Sequence, residues 1–181
     1  MADPVPELVL IVGLPGAGKT TRARDLAAPL GAVRFTPDEW MRPLFGHHDA
    51  DGKRDVVEGR LVWTAAQILA AGTSVVLDFG FWGRDERAGL AWLAGSLGAG
   101  VRTVYLPVDR ETQRERVARR WRETPDQTWP MTEADLDAWR GQFQEPDAAE
   151  LAGRYDLTPP HGFPGWAQWV ADRWPTSRAR A

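Results

Sequence analysis

The stretch Leu8-Val9-Leu10-Ile11-Val12-Gly13-Leu14-Pro15-Gly16-Ala17-Gly18-Lys19-Thr20-Thr21 decides how this sequence is read. Leu8 to Val12 is a short, unbroken apolar run, the pattern of a strand buried on both faces in a parallel sheet. Gly13 to Thr20 then fits G-x-x-x-x-G-K-[ST] without a mismatch. From Thr20 a helical pattern begins, with Ala23, Leu26, Ala27 and Leu30 on one face and Pro29-Leu30-Gly31 at its close. Glycines let such a loop wrap so that its N–H groups point inward at phosphate oxygens, and the helix N-terminus adds its positive end. Lys19 supplies a point charge for the β- and γ-phosphates, and the Thr20 hydroxyl a ligand for Mg²⁺. The plain alternative is a glycine-rich turn with a solvated lysine; the strand before it and the helix after it argue for the phosphate cradle.

Working outward, the same alternation recurs. Val33-Arg34-Phe35 reads as a short strand, and Thr36-Pro37-Asp38-Glu39 as an N-cap, a first-position proline and two first-turn acids. Asp55 to Ala71 reads as a long helix with Val56, Leu61, Ala65, Ile68 and Leu69 on or near one face. Ser74-Val75-Val76-Leu77-Asp78-Phe79 is a second buried strand ending in an acid. A helix over 85–97, a strand over 101–106, an arginine-rich helix over 110–123 and a helix over 132–143 follow. The last of these opens on Thr132-Glu133-Ala134-Asp135, a near capping box. A final helix is expected around Trp166–Val170. This order predicts one three-layer α/β domain over residues 1–181, with a parallel sheet of about five strands flanked by helices.

Composition narrows the classes. The chain has 181 residues, no cysteine and a formal charge of −3. Disulfides, thiolate metal sites and a cysteine nucleophile are excluded, and a general DNA-binding surface is disfavoured. No apolar run approaches the length of a membrane span. Met1-Ala2-Asp3-Pro4 lacks the basic region of a leader, so a cytoplasmic location is expected. Only Lys19 and Lys53 are lysines, against twenty arginines. A GC-rich genome accounts for that bias, but not for where Lys19 stands.

The interior of the motif, Gly-Leu-Pro-Gly-Ala-Gly-Lys-Thr-Thr, resembles the small P-loop kinases: polynucleotide 5′-hydroxyl kinases, gluconate-type kinases, antibiotic phosphotransferases and zeta-toxin-like kinases. Phe35-Thr36-Pro37-Asp38-Glu39, Val75-Val76-Leu77-Asp78-Phe79 and Arg114–Arg120 extend the resemblance over roughly the first 125 residues. It implies that Gly13, Leu14, Pro15, Gly16, Ala17, Gly18, Lys19, Thr20 and Thr21 hold ATP. It further implies that Asp38 faces the acceptor hydroxyl and takes its proton, with Glu39 the adjacent alternative. Asp78 stands where a Walker-B-type acid would, acting on Mg²⁺ with Thr20 or orienting the acceptor. Arg42 could hold an acidic group of the acceptor. Phe79-Gly80-Phe81-Trp82-Gly83-Arg84 would border the acceptor pocket, with Trp82 and Arg84 as contacts.

Six arginines lie between Arg110 and Arg122, against Glu111, Glu115 and Glu123. Pairing within the helix is one expectation. The resemblance implies the other: a lid over about residues 123–131 whose arginines, Arg116 and Arg120 and then Arg119, close on the triphosphate. His47-His48 with Asp49 and Asp51 reads as polar surface rather than a metal cluster, and His161 as a loop residue. Trp139, Phe143, Trp166, Trp169 and Trp174 read as packing.

The expected activity is transfer of the ATP γ-phosphoryl group, with Mg²⁺, to a hydroxyl of a small molecule, by a monomer or homodimer. Three alternatives stand beside it: a polynucleotide 5′-kinase using Arg42, Arg84 and Arg87 on backbone phosphates and Trp82 on a base; a zeta-toxin-like kinase; and a nucleotide-binding ATPase or switch without an acceptor.

Overall fold

The computed structural model describes residues 5–177; the opening Met1–Pro4, on which the expectation about a leader rests, lies outside them. Strand β1 (Glu7–Val12) leads through the glycine loop into α1 (Lys19–Leu30). β2 (Val33–Phe35), α2 (Pro37–Phe45), α3 (Lys53–Ala70), β3 (Val75–Gly80), α4 (Arg84–Ser96), β4 (Gly100–Tyr105) and α5 (Arg110–Glu123) follow. A 3₁₀ turn (Pro125–Gln127), α6 (Glu133–Gln142), α7 (Ala148–Leu151) and α8 (Trp166–Arg173) complete the order.

All four strands are parallel, in the order β2-β3-β1-β4. β1 and β3 are central, so both faces of each must be covered, and their continuous apolar runs meet that need. On one face Leu8, Leu10, Val12, Val75 and Leu77 pack with α3, α4 and α8 side chains including Leu61, Leu69, Leu90 and Val170, and with Trp174 just past α8. On the other, Val9, Ile11 and Val76 meet Ala23, Leu26 and Ala27 of α1. The apolar stripe of α3 runs through Val57, Leu61, Val62, Ala65 and Leu69, while Val56 is exposed, one position off the face the sequence suggested.

The sheet has four strands among the described residues where about five were expected. Beyond β4 the chain forms α7, and Tyr155 shares a hydroxyl hydrogen bond with Thr103. It then enters Pro159-Pro160, which carry no N–H to extend a ladder. α7 itself, a single turn capped by Asp147, was not expected.

Because every strand runs the same way, their carboxyl ends gather at one edge. The glycine loop after Val12, Thr36 after β2 and the segment following Asp78 all reach that edge, where ligands of open α/β sheets bind.

Candidate active site

The loop between β1 and α1 is shaped by close approach. A Cβ on Gly13, whose φ is +155°, would stand 2.9 Å from the Leu106 carbonyl oxygen. Gly16, at φ +83°, lies against Gln113 and Val117 of α5. A side chain at either position would push the loop off its supports. Within the loop Ala17 N–H donates to Leu14 O, and Lys19 Nζ donates to the same oxygen at 3.0 Å. The lysine is half-buried, not the fully solvated side chain of the plain alternative. Burial lowers its pKa, and the carboxylates of Asp78 and Asp38 act in the opposite sense.

Asp78 is buried, 4% exposed, in β3. Its Oδ2 accepts from Thr20 Oγ1 at 2.8 Å and from Thr36 Oγ1 at 3.2 Å, while its Oδ1 has no hydrogen-bond partner. Burial raises its pKa, partly offset by Lys19 and the two hydroxyl donors. Thr36 occupies the expected N-cap of α2 but makes no side-chain cap bond. Its hydroxyl is turned to the aspartate instead. A hydroxyl and a carboxylate with a spare buried oxygen, beside a phosphate cradle, are the oxygen donors Mg²⁺ takes, so Thr20 and Asp78 fit that ion. Among the described residues no cluster of three or more His, Asp or Glu is arranged for a metal; His47 is exposed, while His48 is half-buried against Trp129.

A cavity of about 1480 Å³ opens over this edge. Its lining includes the loop, Lys19, Thr20, Thr21 and the α5 arginines 116, 119 and 120. Arg116 Nη1 donates to Gly16 O at 3.2 Å, so this arginine already touches the loop. Arg120 Nε donates to Thr128 Oγ1 at 3.0 Å. The helix is not neutralised by its own acids as the pairing expectation had it. Arg110 and Arg114 instead cross to Asp137 and Glu133 of α6. That leaves the arginines of the cavity side to face the loop and the lid.

The lid residues are docked. Thr128 is 4% exposed, and its carbonyl accepts from Arg42 Nη2 at 2.7 Å. The Arg42 guanidinium also lies 4.5 Å from the Trp129 ring centroid, with His47 and His48 on the same ring. Arg42 lines the cavity and engages the lid as well, a contact the sequence did not suggest.

Asp38 also lines the cavity, exposed, and Arg54 Nη1 donates to its Oδ1 at 2.8 Å. The same guanidinium donates through Nε to Glu58 at 2.9 Å. Glu58 is buried, and desolvation raises its pKa while Arg54 and Arg173 lower it. Arg173 in turn contacts Asp55, Glu58 and Glu86. Glu39, the alternative base, is tied to Arg34 at 2.7 Å.

Trp82 lines the cavity and packs against Trp139, with ring centroids 5.9 Å apart. Trp139 and Trp169, expected as packing, also line it, whereas Trp166 and Trp174 are buried. Two arginines of the polynucleotide reading are placed elsewhere. Arg84 pairs with Asp147 and does not line the cavity. Arg87 is fully buried in an ion pair with Glu150, so it reaches no backbone phosphate. Its Nη1 donates to Phe81 O at 3.0 Å, and Phe81 has a left-handed φ of 41°. Arg87 thus supports the turn that presents Trp82.

The sequence reading missed Arg54, Glu58, Thr128 and Arg173. Arg54 and Glu58 could have been noticed as an i, i+4 pair. Nothing in the spacing connects either to Asp38 or to α8.

A family model described as an AAA domain matches residues 8–146. No curated protein matches the chain. Among solved structures, a Chloroflexus aurantiacus protein described as a candidate kinase is 24% identical with a TM-score of 0.66, covering 94% of this chain and 99% of its own. Chaetomium thermophilum Kti12, solved with ADP-AlF3, is 20% identical with a TM-score of 0.64, over 95% of this chain and 100% of that one. A gluconokinase from Sinorhizobium meliloti is 18% identical with a TM-score of 0.55, over 96% and 92%. The fold is that of the small P-loop kinase group, and the chain belongs to the AAA domain family whose model spans most of its length.

Proposed function

We propose that the protein is an ATP-dependent kinase that phosphorylates a hydroxyl of a small molecule. The observation that carries this reading is one cavity lined by the phosphate loop with Lys19, by the exposed carboxylate Asp38 and by the buried Asp78. The loop amides and Lys19 bind the β- and γ-phosphates. Thr20 and Asp78 would hold Mg²⁺, which when bound offsets phosphate charge. The acceptor oxygen attacks the γ-phosphorus, the bond from that phosphorus to the β,γ-bridging oxygen breaks, and ADP leaves. Asp38 takes the hydroxyl proton. Arg116, Arg119 and Arg120 stabilise charge on the transferred group from the lid side.

The docked lid residues Thr128, Trp129, Pro130 and Met131 wall one part of the cavity, and Arg84 and Arg87 are committed to acids of their own. Both facts favour a compact acceptor over a polynucleotide end. The test is ADP release from Mg-ATP across a broad panel of hydroxyl compounds, with the phosphorylated product identified by mass. Stimulation well above basal hydrolysis by one class is expected. Slow hydrolysis that no compound stimulates would overturn the reading in favour of an ATPase or switch.

A further inference from the structure

A strained turn holds an indole N–H beside the phosphate loop. Phe81, just after β3, has a φ of 41°, in the left-handed region that an aromatic residue rarely enters. It is buried, and its surroundings fix it from several directions. Arg87 donates from Nη1 to Phe81 O at 3.0 Å and to Trp82 O at 3.4 Å. Gln144 N–H donates to the same Trp82 oxygen at 2.9 Å. The Phe81 ring stacks on Phe79, and the Trp82 ring packs against Trp139. Backbone strain held by this many contacts clusters at active sites and ligand clamps, and the side chain presented here is that of Trp82.

The turn is joined to the phosphate loop, because Gly13 N–H donates to Gly80 O at 3.1 Å. A Cβ on Gly80 would stand 3.3 Å from Trp82 Nε1 and 3.6 Å from Lys19 Cε. The indole nitrogen and the lysine carbon are therefore within about 7 Å of each other, the sum of those two distances. A phosphate group with a hydrogen bond of about 2.9 Å on each side spans roughly this gap. The indole N–H of Trp166 is taken by Leu157 O, and that of Trp174 by Glu58 Oε2. Trp82 lines the cavity, and its N–H has no hydrogen-bond partner among the described residues. Indole only donates, so what it lacks is an acceptor. Next to Lys19 and the loop amides, the acceptor that the surroundings favour is a phosphate oxygen.

We propose that Trp82 Nε1 donates a hydrogen bond to an oxygen of the ATP γ-phosphoryl group and keeps it while that group is transferred. The indole gives up no proton. It stabilises negative charge on the oxygen from a position fixed before the nucleotide arrives. The transfer step rests on the kinase reading, whereas the contact rests only on the phosphate loop.

Trp82→Phe keeps a ring against Trp139 and removes the donor. Calorimetry with Mg²⁺ and either a non-hydrolysable ATP analogue or ADP measures the effect. The variant should bind the analogue about tenfold more weakly than the parent does, the loss expected for a hydrogen bond to a charged group. It should bind ADP equally well, since ADP lacks the γ-phosphate. In ¹⁵N-labelled protein the Trp82 indole signal is the one missing from Trp82→Phe. It should move downfield with the analogue and stay in place with ADP. Where Trp82→Phe does not fold, benzothienylalanine at position 82, which exchanges the N–H for sulfur at nearly constant shape, carries the same comparison.

An unchanged preference for the analogue over ADP, an equal loss for both, or an indole signal that responds alike to both overturns the proposal. If the parent and the variant phosphorylate the best acceptor equally fast, the kinase reading survives and the proposal fails. If both signatures hold and no hydroxyl compound is phosphorylated, the contact stands and the kinase reading fails.

Discussion

Arg54 holds Asp38 from behind. Its Nη1 lies 2.8 Å from Asp38 Oδ1 while its Nε lies 2.9 Å from the buried Glu58, so one guanidinium ties an exposed carboxylate to a fixed one. An unsupported aspartate at the start of α2 would sample several rotamers. In the proposed reaction this clamp points the base at the acceptor. Asp38→Asn should lower kcat by roughly 10²–10⁴ with ATP affinity little changed. Arg54→Gln should cost about 10² in kcat, through misplacement of the base. It should spare KM for ATP, and Arg54→Lys should recover part of the loss. Steady-state kinetics on the best acceptor decide; an unchanged kcat in Arg54→Gln would separate the two residues.

Lys19→Ala should fold, because the lysine contributes one bond to a loop carbonyl and no core packing. It should weaken nucleotide binding by about 1.5–3 kcal/mol, the worth of a charge-assisted hydrogen bond. Titration of Mg-ATP by calorimetry measures this directly, and parent-like affinity would remove Lys19 from the phosphate site.

Asp78 makes stability depend on pH in a definite direction. Burial raises its pKa in the folded protein above the ordinary 3.8. Between that value and the raised one the folded state keeps a proton that the unfolded state has lost. Stability therefore falls as pH rises through this window. Denaturant midpoints taken from pH 4 upward, without nucleotide or metal, should fall less steeply for Asp78→Asn than for the parent. The same variant should shift the Mg²⁺ requirement of ATP binding. Parallel stability curves would show that the carboxyl ionises normally.

Removing one partner of the Arg87–Glu150 pair should be costly. The two contacts, 2.7 and 3.1 Å, are buried, and Arg87 also supports the Phe81 carbonyl. Arg87→Ala should lose about 3–5 kcal/mol, since an uncompensated buried carboxylate remains. Equilibrium unfolding gives the number, and the rotameric freedom of Trp82 should show as a change in tryptophan fluorescence.

The lid prediction concerns Thr128, which Arg42 and Arg120 both grip. Arg42→Ala and Arg120→Ala should speed protease cleavage within residues 124–131 by about the factor expected for losing a partly exposed hydrogen bond, severalfold. A non-hydrolysable ATP analogue should slow it again in the Arg42 variant, where all three α5 arginines remain. Cleavage indifferent to both variants and to nucleotide would mean that these contacts do not restrain the lid.

What the sequence alone determined is what chain neighbours determine. The strand–loop–helix around Gly13–Thr20, the buried strand ending at Asp78 and the capping box at Thr132 are encoded over fewer than about twenty residues, within reach of periodicity and turn chemistry. What only the tertiary structure decided are the relationships made across the sheet edge. Thr36 was legible as a helix cap, yet its hydroxyl goes to Asp78, 42 residues on, because parallel strands bring their ends together. Arg42 and Arg87 were legible as cations, but Thr128 and Glu150 occupy them. Arg54 was legible only as the i, i+4 partner of Glu58 on its own helix, and Arg173 carried no local signal, since Asp38 and the partners of Arg173 lie on other elements. The strand count fell short of expectation for a related reason. Whether a segment joins a sheet depends on the free edge it meets, and beyond β4 α7 lies in contact with that edge before the chain reaches Pro159-Pro160.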